Sequence, residues 1–121
     1  MIVGDGDRIL QILANMLENA IRWSPDDAVV RVSGSVAARS LRFEVADSGP
    51  GVPVERRADV LRPFYSGDVR GTGLGLAIAS ELAIAMGGRV TVGDAPEGGA
   101  LFGCELPRVP VRQPGPVVTT V

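Results

Sequence analysis

Asp7-Arg8-Ile9-Leu10-Gln11-Ile12-Leu13-Ala14-Asn15-Met16-Leu17-Glu18-Asn19-Ala20 places two kinds of surface on one segment. Ile9, Ile12, Leu13, Met16 and Ala20 recur at the spacing of one helical face, which predicts a helix from Asp7 to Trp23. Arg8, Gln11, Asn15, Glu18, Asn19 and Arg22 collect on the other side, because residues three and four apart are neighbours on a helix surface. Asparagine is a poor helix-interior residue, yet Asn15 and Asn19 stand one above the other. A solvated face accounts for them. So does a cation site: an amide carbonyl ligates Mg²⁺, which keeps waters and completes its shell from phosphate.

Downstream, Ser24-Pro25-Asp26-Asp27 stops the helix, since the residue before proline is steered out of the α region. Alternating apolar and polar residues predict a strand over 29–36 and a second through Leu41, Phe43 and Val45, the two forming a hairpin. A short helix is predicted from Val54 to Leu61. Leu74 to Met86 is apolar nearly all round and ends at Gly87-Gly88, which predicts a buried helix. Closing strands fall near Arg89–Val92 and Ala100–Leu106. The domain is expected to span 1–107, and 108–121, with three prolines and no helical period, to be a disordered tail.

Composition narrows the function classes. At 121 residues the chain suffices for one domain. Its 14 acidic and 12 basic residues leave a net charge of -2, without the basic field that nucleic acid or an anionic membrane needs. One cysteine, Cys104, and no histidine disfavour a disulfide, a zinc site or a haem site. No apolar run reaches membrane-span length, and a cytoplasmic location is expected.

Two glycine-rich stretches remain. Asp47-Ser48-Gly49-Pro50-Gly51 reads as a strand-ending turn. It also sets a carboxylate at the end of an apolar strand, where it can accept a hydrogen bond from an adenine amino group. Gly71-Thr72-Gly73-Leu74-Gly75-Leu76 runs into the apolar helix, and free N–H groups at a helix start attract phosphate; the plain alternative is a flexible loop. The stretch lacks the Gly-Lys-Ser/Thr ending of a P-loop and the acidic partner of a dinucleotide fingerprint.

In order, these stretches resemble the histidine-kinase branch of the family that also holds DNA gyrase, the Hsp90 chaperones and the mismatch-repair ATPases. Residues 7–20 resemble its N box, 47–51 its G1 box, Pro63-Phe64-Tyr65 its F box and 71–76 its G2 box, with Gly98-Gly99-Ala100-Leu101-Phe102 and Leu106-Pro107 as the closing strand. The resemblance implies the Bergerat ATP-binding fold: an α/β (α+β) two-layer sandwich whose mixed, mainly antiparallel sheet carries about three helices on one face. The chain starts almost at the N box, where relatives have a further strand, so the sheet can lack that strand.

Carried over by position, the resemblance implies that Asn19, supported by Asn15, holds Mg²⁺ and the phosphates of ATP, with Arg22 facing them. Asp47 would bind the adenine amino group, with Gly49 and Gly51 shaping the pocket and Trp23 as an aromatic wall. Gly71, Gly73 and Gly75 would contact phosphate, and Thr72, Leu74 and Leu76 complete the nucleotide-binding set. Phe64 is the expected lid anchor, on a short lid where Ser66 replaces a common arginine.

Hydrolytic relatives have a water-activating glutamate where this chain has Asn15, which favours kinase over ATPase chemistry. Glu18 is expected to stay in solvent. With no histidine present, the acceptor in such a two-component system must lie on a dimerisation or phosphotransfer domain, either elsewhere in a longer kinase or on a separate protein, with a response regulator downstream. Two competing readings are an anti-sigma-factor-type serine kinase and a nucleotide-binding interaction module without catalysis.

Overall fold

The computed structural model of the chain describes residues 3–63 and 74–107. Helix α1 runs from Val3 to Trp23, opening earlier than the periodicity suggests. Ile12, Met16 and Ala20, one helical turn apart, are wholly buried and form the ridge that α1 presents to the core. Its last turn closes where the Ser24 N–H reaches the Ala20 carbonyl at 3.1 Å, ahead of Pro25.

Strands β1 (Arg31–Val36) and β2 (Ser40–Ala46) form the expected hairpin, with Val32 opposite Val45 and Val36 opposite Leu41. Helix α2 (Gly75–Ala85) leads into β3 (Arg89–Asp94) and β4 (Ala100–Pro107). The sheet order is β1-β2-β4-β3, and every pairing among the described residues is antiparallel. Period-two alternation then divides the sheet into two faces. Phe43, Val45, Val90, Phe102, Cys104 and Leu106 point at the buried ridges of α1 and α2. On the outer face Arg42, paired across the ladder with Glu105, bonds Glu44 at 3.1 Å and Glu105 at 3.4 Å. The result is the two-layer sandwich implied by the resemblance.

Two expectations change. In place of one short helix over 54–61 there are two 3₁₀ turns, Val54–Arg56 and Asp59–Leu61, closed by i→i+3 bonds such as Arg56 N–H to the Pro53 carbonyl at 2.9 Å. The segment is too short to repay α-helix nucleation, and Arg57 is drawn away to Asp94. Helix α2 is buried on one side only: Leu76, Ala77, Ala79 and Ala83 pack inward, whereas Ile84 is 63% exposed. A two-layer fold has no third layer to cover the outer side of α2, so its uniform hydrophobicity overstates its burial. The helix ends as Gly87 enters the left-handed region at φ +83° and the Gly88 N–H bonds the Ala83 carbonyl at 2.8 Å. The expected tail, 108–121, lies outside the described residues.

Candidate functional site

Between the polar face of α1 and the segment after β2 lies a cleft of about 220 Å³, many times the ~15 Å³ that a single water needs. Helix α1 supplies Asn15, Glu18, Asn19, Arg22 and Trp23, so the stacked asparagines and the cation after them do converge. The opposite wall, built from Val52, Pro53 and Val60 with Leu76 of α2 and Phe102 of β4, is apolar apart from Arg56. An apolar slot beside a row of amides and a guanidinium suits a ligand with a flat organic end and an anionic end.

Asp47 sits at the floor, 3% exposed. A carboxylate this buried needs compensating donors, and the turn provides them. Its Oδ1 accepts the Gly49 N–H and the Ala100 N–H, both at 2.9 Å, while its own N–H donates to the Ala100 carbonyl at 3.0 Å. The turn is tied to the end of α1: the Ser48 N–H reaches Ser24 Oγ at 3.1 Å, and the Ser48 hydroxyl donates to the Val29 carbonyl at 3.0 Å. Gly51 lines the cleft at φ +78°, a conformation that side chains disfavour.

Gly49 is not a lining residue. A Cβ there would stand 2.6 Å from the Trp23 carbonyl oxygen, so its part is to let the turn lie against the end of α1. Gly75 and Leu76 line the cleft, whereas Leu74 caps α2 and gives its carbonyl to the Ile78 N–H at 2.8 Å. Phe64, Gly71, Thr72 and Gly73 lie outside the described residues.

Sequence reasoning missed several members. Glu18 is exposed, as expected, and its position on α1 also borders the cleft beside Asn19. The Val52-Pro53 wall directly follows the G1 stretch, a proximity that the sequence displays. It is fixed by Arg57, whose Nε donates to the Val52 carbonyl at 3.1 Å and whose Nη2 pairs with Asp94 at 2.9 Å. Beyond Asp94, the loop over the floor is held at its rim by Arg31, which grips Glu97 through bonds of 2.7 and 3.0 Å. That hydrogen bonding holds the Glu97 carboxyl below its ordinary range. Asn15 leaves its Nδ2 buried without a partner. Among the described residues no cluster of His, Cys, Asp or Glu is placed to hold a metal ion, and no helix is long and apolar enough to cross a membrane.

Comparison with known proteins agrees with this arrangement. Residues 4–110 match the model of the histidine kinase-, DNA gyrase B- and HSP90-like ATPase family. Sensor protein DivL of Caulobacter vibrioides is 38% identical over 115 residues, covering 95% of this chain and 15% of the relative. The chain therefore spans a small part of that protein. Among solved structures, the mycobacterial sensor histidine kinase MprB superposes with a TM-score of 0.76 at 30% identity, covering 87% of this chain and 73% of that one. Full-length ShkA in complex with AMPPNP gives 0.73 at 41% identity, over 87% of this chain and 23% of that one. With a match running from α1 past β4, and the same layers recurring in these structures, the chain belongs to the histidine kinase-, DNA gyrase B- and HSP90-like ATPase family.

Proposed function

We propose that the cleft binds Mg-ATP and that the chain is the catalytic part of a two-component kinase, passing the γ-phosphoryl group to a histidine on another segment or another protein. The observation that carries this reading is Asp47. One carboxylate oxygen is taken by two backbone N–H groups, which leaves the second to accept from an adenine amino group against Val52, Val60 and Leu76. The AMPPNP complex of the similar ShkA supports an adenine nucleotide.

The residues present also fit Mg²⁺. With no carboxylate cluster among the described residues, Asn19 and Asn15 would hold the cation through their amide oxygens, with water and phosphate completing its shell, as suits Mg²⁺. The Nδ2 of Asn15 is a buried donor without a partner, and a turn of this side chain toward the cleft would let a phosphate oxygen serve it. Bound Mg²⁺ neutralises charge on the phosphates. The chain's own part is to hold the adenine at Asp47 and to set Arg22 beside the developing charge. By the resemblance alone, Gly71 and Gly73 are proposed to contact the phosphates, and Thr72 and Phe64 to belong to the same nucleotide-binding set. Asn15 cannot take a proton, so water is not activated there. A neutral imidazole needs no such base, and transfer to it depends on positioning and charge stabilisation.

Labelled ATP mixed with the chain, with and without a histidine-bearing dimerisation domain, tests the reading. Acid-labile label on the added domain is expected. Acid-stable label points to a serine acceptor, and binding without any transfer to a non-catalytic module; both contradict it.

A further inference from the structure

Gly99 lies outside the stretches whose glycines face the nucleotide in the proposed reading, yet it has the least room of the glycines around the floor. A Cβ at this position would overlap both the carbonyl oxygen and Oδ1 of Asp47. Flexible side chains can move aside; the Asp47 carbonyl belongs to the backbone where β2 ends and cannot. Only a residue without a side chain lets the start of β4 cross Asp47 closely enough for the Ala100 N–H to reach Oδ1 at 2.9 Å while the Asp47 N–H reaches the Ala100 carbonyl at 3.0 Å. The neighbouring loop is shaped for the same approach. The Ala95 N–H closes onto the Gly99 carbonyl at 2.8 Å, Gly98 takes φ +106°, and Arg57 and Arg31 pin the loop through Asp94 and Glu97.

We propose that Gly99 is a positioning residue for the Asp47 carboxylate and so sets the preference of the cleft for a 6-amino purine over a 6-oxo purine. The inference rests on the nucleotide reading given above. Its physical content is that a carboxylate rotated out of the double N–H clamp no longer aims its free oxygen at the purine edge. A 6-amino group donates to that oxygen, whereas a 6-oxo group meets it acceptor to acceptor. Discrimination therefore depends on orientation, while the phosphate end depends on α1, on the other side of the cleft.

The test measures ATP and ITP binding to the full chain in the parent, Asp47→Asn, Gly99→Ala and their double variant, with circular dichroism to confirm folding. Gly99→Ala is expected to weaken ATP about tenfold or more, to weaken ITP much less, and to add nothing further in the Asp47→Asn background. A purely structural role would lower both nucleotides alike. To separate a loss of fold in Gly99→Ala from a loss of positioning, Ala100→Pro serves as a second variant: it deletes the clamp's N–H at the first residue of a strand, where proline is tolerated. A folded Gly99→Ala or Ala100→Pro chain that keeps the parent ATP:ITP ratio overturns the proposal. Unfolding of both variants overturns it too, since these residues would then serve the fold alone. If Asp47→Asn itself leaves the ratio unchanged, the nucleotide reading fails instead.

Discussion

At the scale of single residues, the cleft is governed by which polar atoms are satisfied and which are not. Asp47 Oδ1 has two backbone donors, whereas the buried Nδ2 of Asn15 has no partner. Asn19→Ala should lower Mg-ATP affinity about tenfold while leaving the urea midpoint nearly unchanged, because this side chain lines the cleft and is no part of the core. Calorimetric titration with and without Mg²⁺, beside a denaturation curve, checks both halves. The reverse is expected at Gly88, where a Cβ would overlap the Glu105 carbonyl far from the cleft. Gly88→Ala should cost about 1–3 kcal/mol of stability and leave the affinity of the folded chain unaltered. The asparagines were legible in the sequence because helical spacing alone stacks them. The demands on Gly99 and Gly88 were not, because each arises from a backbone carbonyl distant in the chain, brought close only by strand pairing.

At the scale of elements, α1 divides its labour by face. Ile12, Met16 and Ala20 build the core, and Asn15, Asn19 and Arg22 build the site, so substitutions a turn apart should have unlike consequences. Met16→Ala is expected to destabilise the chain by about 2–5 kcal/mol, read as a fall in the urea midpoint, with nucleotide affinity retained under folding conditions. Helix α1 and the hairpin could be read from periodicity because their faces differ in polarity. Helix α2 could not be read so fully: Ile84 and Leu76 are equally apolar, and only the number of layers decides that one is exposed and the other buried. The segment 54–61 misled for a different reason. Its helix-forming residues are outweighed by its shortness and by the reach of Arg57 to Val52 and Asp94, a tertiary pull with no local signal.

At the scale of the whole molecule, one sheet face and two helices share a core in which Cys104 is fully enclosed. Burial pushes its thiol up to about 11 from an ordinary 9.0. A raised folded-state pKa means that stability is intact below about pH 9, where both states are protonated, and falls as pH climbs toward about 11 because only the unfolded chain ionises freely. The parent should therefore lose stability over that window more steeply than Cys104→Ala, by at most about 1.4 kcal/mol per pH unit, as read from urea midpoints at successive pH values. The same packing that encloses Cys104 brings the end of β2, the start of β4 and the polar face of α1 around one cleft. The order of motifs along the chain had already indicated this convergence, although not the carbonyls and N–H groups that complete it. The cleft is proposed to be a Mg-ATP site whose adenine end is Asp47. Titration of Mg-ATP into the full chain and into Asp47→Asn tests it most directly: saturable binding by the parent, weakened about tenfold or more in the variant, is the predicted result, and equal binding by both, or none by the parent, would contradict it.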